Sequence, residues 1–174
     1  MERIDRILSG LDKCMALVEV GPSHSPIVPK SAGWNTVVVD YTDAASLREH
    51  YKNESYERIE QVDIIWRSGQ MHEAFHPRKL ASYDAVISSH SLEHMPDAIG
   101  FLQSCEKLVK ADGIVRLALP DKRCCFDFFS GLSTSGDMLC LLISPVDLKC
   151  LVLRVRRLDV TLMLGIQSGD DRTS

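Results

Sequence analysis

The sequence predicts an α/β fold, a doubly wound and mostly parallel sheet with helices on both faces. Short apolar runs rich in β-branched residues recur along the first two thirds of the chain, and helix-compatible stretches separate them. Within the runs, apolar residues are continuous rather than alternating, as expected of strands covered on both faces. The length of 174 residues and the 45% hydrophobic content are enough for one domain with a sizeable core.

Taken in order, Ile4, Ile7, Leu8 and Leu11 recur at helical spacing and predict an amphipathic helix over 2–12. Met15 to Val20 reads as a buried strand ending at Gly21. Pro26 and Pro29 exclude a long regular helix from the loop that follows. Thr36 to Val39 is a β-branched run closed by Asp40, a second strand. Residues 43–58 are polar and helix-compatible, with Asp43 placed to cap. Val62 to Trp66 and Ala85 to Ile87 predict strands three and four. Ile99, Leu102, Cys105 and Leu108 share a helical face, and Ala111-Asp112-Gly113 reads as the turn closing that helix. Ile114 to Leu119 is strand five, stopped by Pro120.

Composition narrows the function classes. The net charge is −4 and the Arg154, Arg156, Arg157 cluster is short, so nucleic acid is not an indicated partner. No apolar run reaches the roughly 18 residues of a membrane span, and Met1 to Leu11 has no apolar signal core. A cytoplasmic location is therefore expected. None of the six cysteines (Cys14, Cys105, Cys124, Cys125, Cys140 and Cys150) forms a C-x-x-C pair, and reduced thiols fit that compartment.

In sheets of this kind ligands bind beyond the carboxyl ends of the strands, where strand order reverses. The strand ends are therefore the residues to read. In Glu19-Val20-Gly21-Pro22-Ser23, a glycine at the tip of strand one admits a ligand close to the backbone. Ser23 and Pro26 stand where the later glycines of a dinucleotide fingerprint would fall. The prolines also break the helix whose N-terminus a pyrophosphate needs, which argues against an NAD- or FAD-dependent oxidoreductase. Asp40 follows Gly21 by nineteen residues at the end of strand two, where a carboxylate can accept from both ribose hydroxyls.

The stretch Tyr83-Asp84-Ala85-Val86-Ile87-Ser88-Ser89-His90-Ser91-Leu92-Glu93-His94-Met95-Pro96-Asp97 carries the most specific pattern: an aromatic-Asp pair, a strand, Leu-Glu-His and a Pro-Asp step into a helix. With Lys107 to Gly113, it resembles the class I S-adenosylmethionine-dependent methyltransferases over about residues 14–128. Leu119 to Arg123 is also similar to methyltransferase domains associated with bacterial glycosyltransferases. The resemblance implies a Rossmann-like fold, S-adenosyl-L-methionine as cofactor, and a small-molecule or glycan acceptor. It implies that Glu19, Gly21, Pro22 and Ser23 pass the methionine portion, that Asp40 with Tyr41 holds the ribose, and that Trp66 flanks the adenine. Ser88, Ser89 and His90 would floor the site near the sulfonium. Where the family often has an acid after strand three, this chain has Arg67-Ser68-Gly69; either Asp63 serves from an earlier position or that contact is missing. A hydroxyl acceptor needs a general base, and His90 is the candidate.

His90-Ser91-Leu92-Glu93-His94 also matches the H-x-x-E-H zinc motif. A strand-end position for His90, the break at Met95-Pro96 and the lack of a third ligand weigh against a metal. His72 and His76, also four apart, read as a solvated face ending at Pro77.

The expected organisation is a cofactor-binding domain over 1–130 and an atypical C-terminal segment over 131–174. Candidate strands at 146–155 and 160–166 would complete the sheet; a non-homologous end is the alternative. In the second case exposed apolar surface would favour self-association, and the chain would be a non-catalytic cofactor-binding or interaction domain of the same fold.

Overall fold

The computed structural model describes residues 3–52, 56–120 and 160–165. The chain runs α1 (Arg3–Leu8), β1 (Leu17–Val20), β2 (Thr36–Asp40), α2 (Ala44–His50), β3 (Ile64–Ile65), β4 (Tyr83–Ser89), α3 (Ala98–Leu108), β5 (Val109–Pro120) and β6 (Val160–Gly165), with short 3-10 turns between. The strands form one sheet in the order β3-β2-β1-β4-β5-β6, and every pair is parallel. This is the Rossmann-like α/β architecture expected. The strand foreseen over 160–166 is β6. The candidate strand at 146–155, the four cysteines from Cys124 onward and most of the segment from 131 lie outside the described residues.

Alternation along the central strands divides the core. Val18, Val20, Val39 and Val86 turn to the face covered by α3, meeting Phe101, Cys105 and Leu108 together with Met71 and Phe75 from the 3-10 turns. Leu17, Ala85 and Ile87 turn to the other face, where Ile7 of α1 and the Ile27-Val28 loop cover them. Val38 on β2 packs there under Ala44 and Leu47 of α2. Both faces of β1 and β4 are thus buried, which is why these strands read as unbroken apolar runs.

Besides α1, which ends at Leu8 rather than at residue 12, three elements depart from the sequence reading. The helix expected over 43–58 spans only Ala44–His50. Asp43 caps it, accepting from Ala45 N at 3.0 Å and Ser46 N at 2.9 Å, but only Ala44 and Leu47 are buried, so packing supports two turns and no more. β3 is assigned to Ile64–Ile65 alone, although Asp63 N and Trp66 N still donate to Val38 O and Asp40 O at 2.9 Å. Ala111-Asp112-Gly113 does not close α3; it loops out within β5, between the Tyr83–Val109 and Ala85–Ile114 pairs. No helix among the described residues is long and apolar enough to cross a membrane.

Candidate functional site

Strand order reverses at β1, which has β2 on one side and β4 on the other. Beyond the carboxyl ends of these strands opens a cleft of about 720 Å³, within the range of small-molecule sites. Gly21, Ser23, Asp40, Tyr41, Trp66 and His90 all line it.

Gly21 leaves β1 at φ 67°, a left-handed conformation that favours glycine. A Cβ there would also stand 2.6 Å from Ser91 Oγ, a hydroxyl that donates to Val20 O. Ser23 and His90 occupy the left-handed region as well, at φ 46° and 54°. Two of the three such non-glycine residues among those described therefore border the cleft. Strain of this kind, roughly 1–2 kcal/mol for each residue, persists where the surrounding structure imposes it. For His90, its N–H donates to Ala118 O at 2.9 Å and ties the turn to β5.

Asp40 is buried at the end of β2. One carboxylate oxygen accepts from Tyr41 N at 2.8 Å and the other from Ser23 N at 3.1 Å. Each oxygen keeps acceptor capacity for a further donor. Burial pushes the pKa of Asp40 above the ordinary carboxylate value, against the pull of the two amides. The imidazole of His90 is partly exposed, with Glu93 Oε1 3.6 Å from Nδ1.

The other expected residues lie outside the lining. The carboxylate of Glu19 accepts from Ile27 N at 2.6 Å and Val28 N at 3.3 Å, which fixes the loop covering the opposite face. Ser88 is buried and donates to Val20 O at 3.2 Å. Ser89 and Pro22 sit beside lining residues without bordering the cleft themselves. Asp63 is engaged by Val38 N at 2.7 Å and Lys30 Nζ at 2.6 Å and is also outside the lining.

Two loops complete the walls. After β3, Arg67, Ser68, Gly69, Gln70 and Met71 line the cleft, with Trp66 Nε1 donating to Gly69 O at 3.0 Å and Arg67 Nε to Tyr41 O at 3.2 Å. Past β4 come Ser91, His94, Met95, Pro96 and Asp97, then Gly100 and Phe101 of α3. The rings of Trp66 and Phe101 stack 6.3 Å apart, 20° from parallel, and give this end an apolar wall. Sequence reading named few of these loop residues; their signal was position, immediately after strand ends. His94 belongs to a 3-10 turn, Leu92–His94, and His90 precedes it in a left-handed conformation, so the two histidines do not share a helical face. Among the described residues no cluster of three metal-binding side chains occurs.

His72 packs against α3, its Nδ1 3.1 Å from Ser104 Oγ and its Nε2 2.9 Å from Lys107 Nζ. Desolvation and then the Lys107 charge lower its pKa and favour the neutral ring, against the opposing pull of Glu73. His76 instead accepts from Arg78 N and caps a 3-10 turn at Pro77. His72 is therefore half-buried against α3, whereas His76 is exposed.

The residues present suit a nucleoside-bearing cofactor. The glycine cradle leaves room at the backbone, the buried carboxylate can take two hydroxyl donors, and the far wall is flat and apolar. No curated protein matches the chain. A solved structure of an S-adenosylmethionine-dependent methyltransferase from Aquifex aeolicus is similar at 16% identity and a TM-score of 0.42, over 64% of this chain and 60% of that one. The chain thus corresponds to about 60% of that protein's length. A family model described as a methyltransferase domain matches residues 20–115, more than half of the chain, from the last residue of β1 into β5. The chain belongs to the methyltransferase-domain family.

Proposed function

We propose that residues 1–130 form the cofactor-binding domain of a methyltransferase acting in the cytoplasm on a hydroxyl of a small molecule or glycan. The observation that carries this reading is the convergence of Gly21, Asp40 and His90 on one cleft at the strand-order reversal. The cofactor supplies an electrophilic methyl on a sulfonium that is already a good leaving group.

The chain's own residues bind, orient and exclude water. Gly21 and Ser23 give the chain of the cofactor a close backbone approach. Asp40 accepts from the ribose hydroxyls, with Tyr41 beside it. Trp66, Met71 and Phe101 wall the base. His90, at the rim, takes the proton of an acceptor hydroxyl, and Glu93 keeps its ring in place. Positioning of the two reactants supplies much of the acceleration.

A second reading, ligand binding without turnover, is favoured by Arg67, a cation at the rim of the cleft after β3. A methyl-transfer assay with radiolabelled cofactor and a panel of small-molecule and glycan hydroxyls separates the two. Transfer that is lost in His90→Ala supports the enzyme. Cofactor binding with no transfer to any acceptor in cell extract favours the second reading.

A further inference from the structure

Ser91 precedes the 3-10 turn Leu92–His94, at the position where a serine hydroxyl ordinarily accepts from an amide of the turn ahead. Its hydroxyl makes no such bond. It turns back instead, with Oγ 3.3 Å from Val20 O and 3.3 Å from Ser89 O. A hydroxyl has one proton, so the two carbonyls share it. Ser88 Oγ also donates to Val20 O, at 3.2 Å, so that carbonyl keeps a hydroxyl donor without Ser91. The distinctive bond is the one to Ser89 O.

That bond spans His90, which holds φ 54°. The left-handed region is unfavourable for an L residue with a side chain, so the surrounding structure must impose it. The His90 N–H donates to Ala118 O at 2.9 Å and ties the backbone on the β5 side. The Ser91 hydroxyl ties it on the β1 side, through Val20 O. Room for that hydroxyl comes from Gly21. A Cβ on Gly21 would stand 2.6 Å from Ser91 Oγ and 3.4 Å from Ser91 Cβ. The tip of β1 therefore accommodates a side chain of β4's own turn, and the glycine is required by the fold as well as by any ligand.

We infer that Ser91 is the positioning residue of His90, its hydroxyl clamping the left-handed turn that presents the imidazole to the cleft. The inference rests on the proposal that His90 takes the proton of an acceptor hydroxyl. Glu93 sets the ring, 3.6 Å from Nδ1, and Ser91 sets the backbone that carries it. The clamp and the strain oppose each other. The Ser91 bonds form only with His90 in the strained conformation, and losing them lets the turn relax.

The test is a double-mutant cycle of Ser91→Ala and His90→Gly, read by thermal melting. Ser91→Ala should lower the melting temperature less in the wild-type background than in His90→Gly, by about 2–4 °C. Glycine holds the left-handed turn without strain, so there the full value of the bonds is lost. A hydroxyl that merely ties β4 to β1, or a turn imposed by the Ala118 bond alone, gives equal losses in the two backgrounds, and that result overturns the inference. Transfer and binding supply the second readout. Ser91→Ala should lower kcat for a hydroxyl acceptor about tenfold or more, because a base works only within hydrogen-bond reach of its proton. Calorimetric affinity for S-adenosylhomocysteine should not move. A loss of that affinity would make the hydroxyl a ligand contact and also overturns the inference. Equal melting losses remove the positioning role alone, whereas absence of transfer by the wild type removes the base reading of His90 and the positioning role with it.

Discussion

Glu19 and Asp40 are two buried carboxylates on adjacent parallel strands, and they serve different parts of the molecule. Glu19 lies within β1 and turns to the covered face, where the Ile27 and Val28 amides engage it. Asp40 lies at the carboxyl end of β2 and borders the cleft, with one amide on each oxygen and space beyond. A buried acid in a parallel sheet is thus enclosed by the fold or open to the cleft according to how far along its strand it stands. Asp84 extends the comparison to the opposite end of the sheet. It takes Ala16 N at 2.8 Å and Lys110 Nζ at 2.6 Å, and the Lys110 hydrogen bond is the main cause of its lowered pKa.

The contrast breaks if the interior and rim acids respond alike. The largest effect is expected at Glu19. Burial raises its pKa to about 7 from 4.5, despite the two amide bonds that favour the charged form. A raised folded-state value stabilises the protein fully below the unfolded value and is lost as pH rises through the folded one. Stability should therefore fall by about 2–3 kcal/mol between pH 5 and 8. Urea unfolding of Glu19→Gln should show a much flatter dependence over that interval; an unchanged slope would assign the effect to another group. Next in size is Asp84→Asn, which should cost about 1–2 kcal/mol of stability through the lost charged hydrogen bonds. Ligand affinity should not move, and a parallel loss of both would deny the separation between sheet ends. Smallest is His90→Gly, which relieves the left-handed strain and should raise stability by about 0.5–1 kcal/mol. The same variant should lose transfer to hydroxyl acceptors. A lower melting temperature with transfer retained would reverse both roles.

Much of the sheet was legible because β1, β2 and β4 are buried on both faces and therefore read as continuous apolar runs. Gly21 and Asp40 were legible for a related reason, since each terminates such a run. Glu19 and Ser88 show the limit of that reading: position in the sequence next to the site does not reveal which face a strand residue takes. The bulge at Ala111-Asp112-Gly113 was hidden because a turn and a loop-out within a strand draw on the same residues. The Gln70–Ser104–His72 connection was hidden as well. Its partners are more than thirty residues apart, and only the docking of α3 against the loop after β3 brings them into contact.

Titration of S-adenosylhomocysteine into the wild-type chain and into Asp40→Ala tests the central claim most directly. Measurable binding by the wild type and a loss of about 1–3 kcal/mol in the variant, with melting temperature preserved, is the predicted outcome. Equal affinity in the two proteins would remove Asp40 from the site and contradict the account.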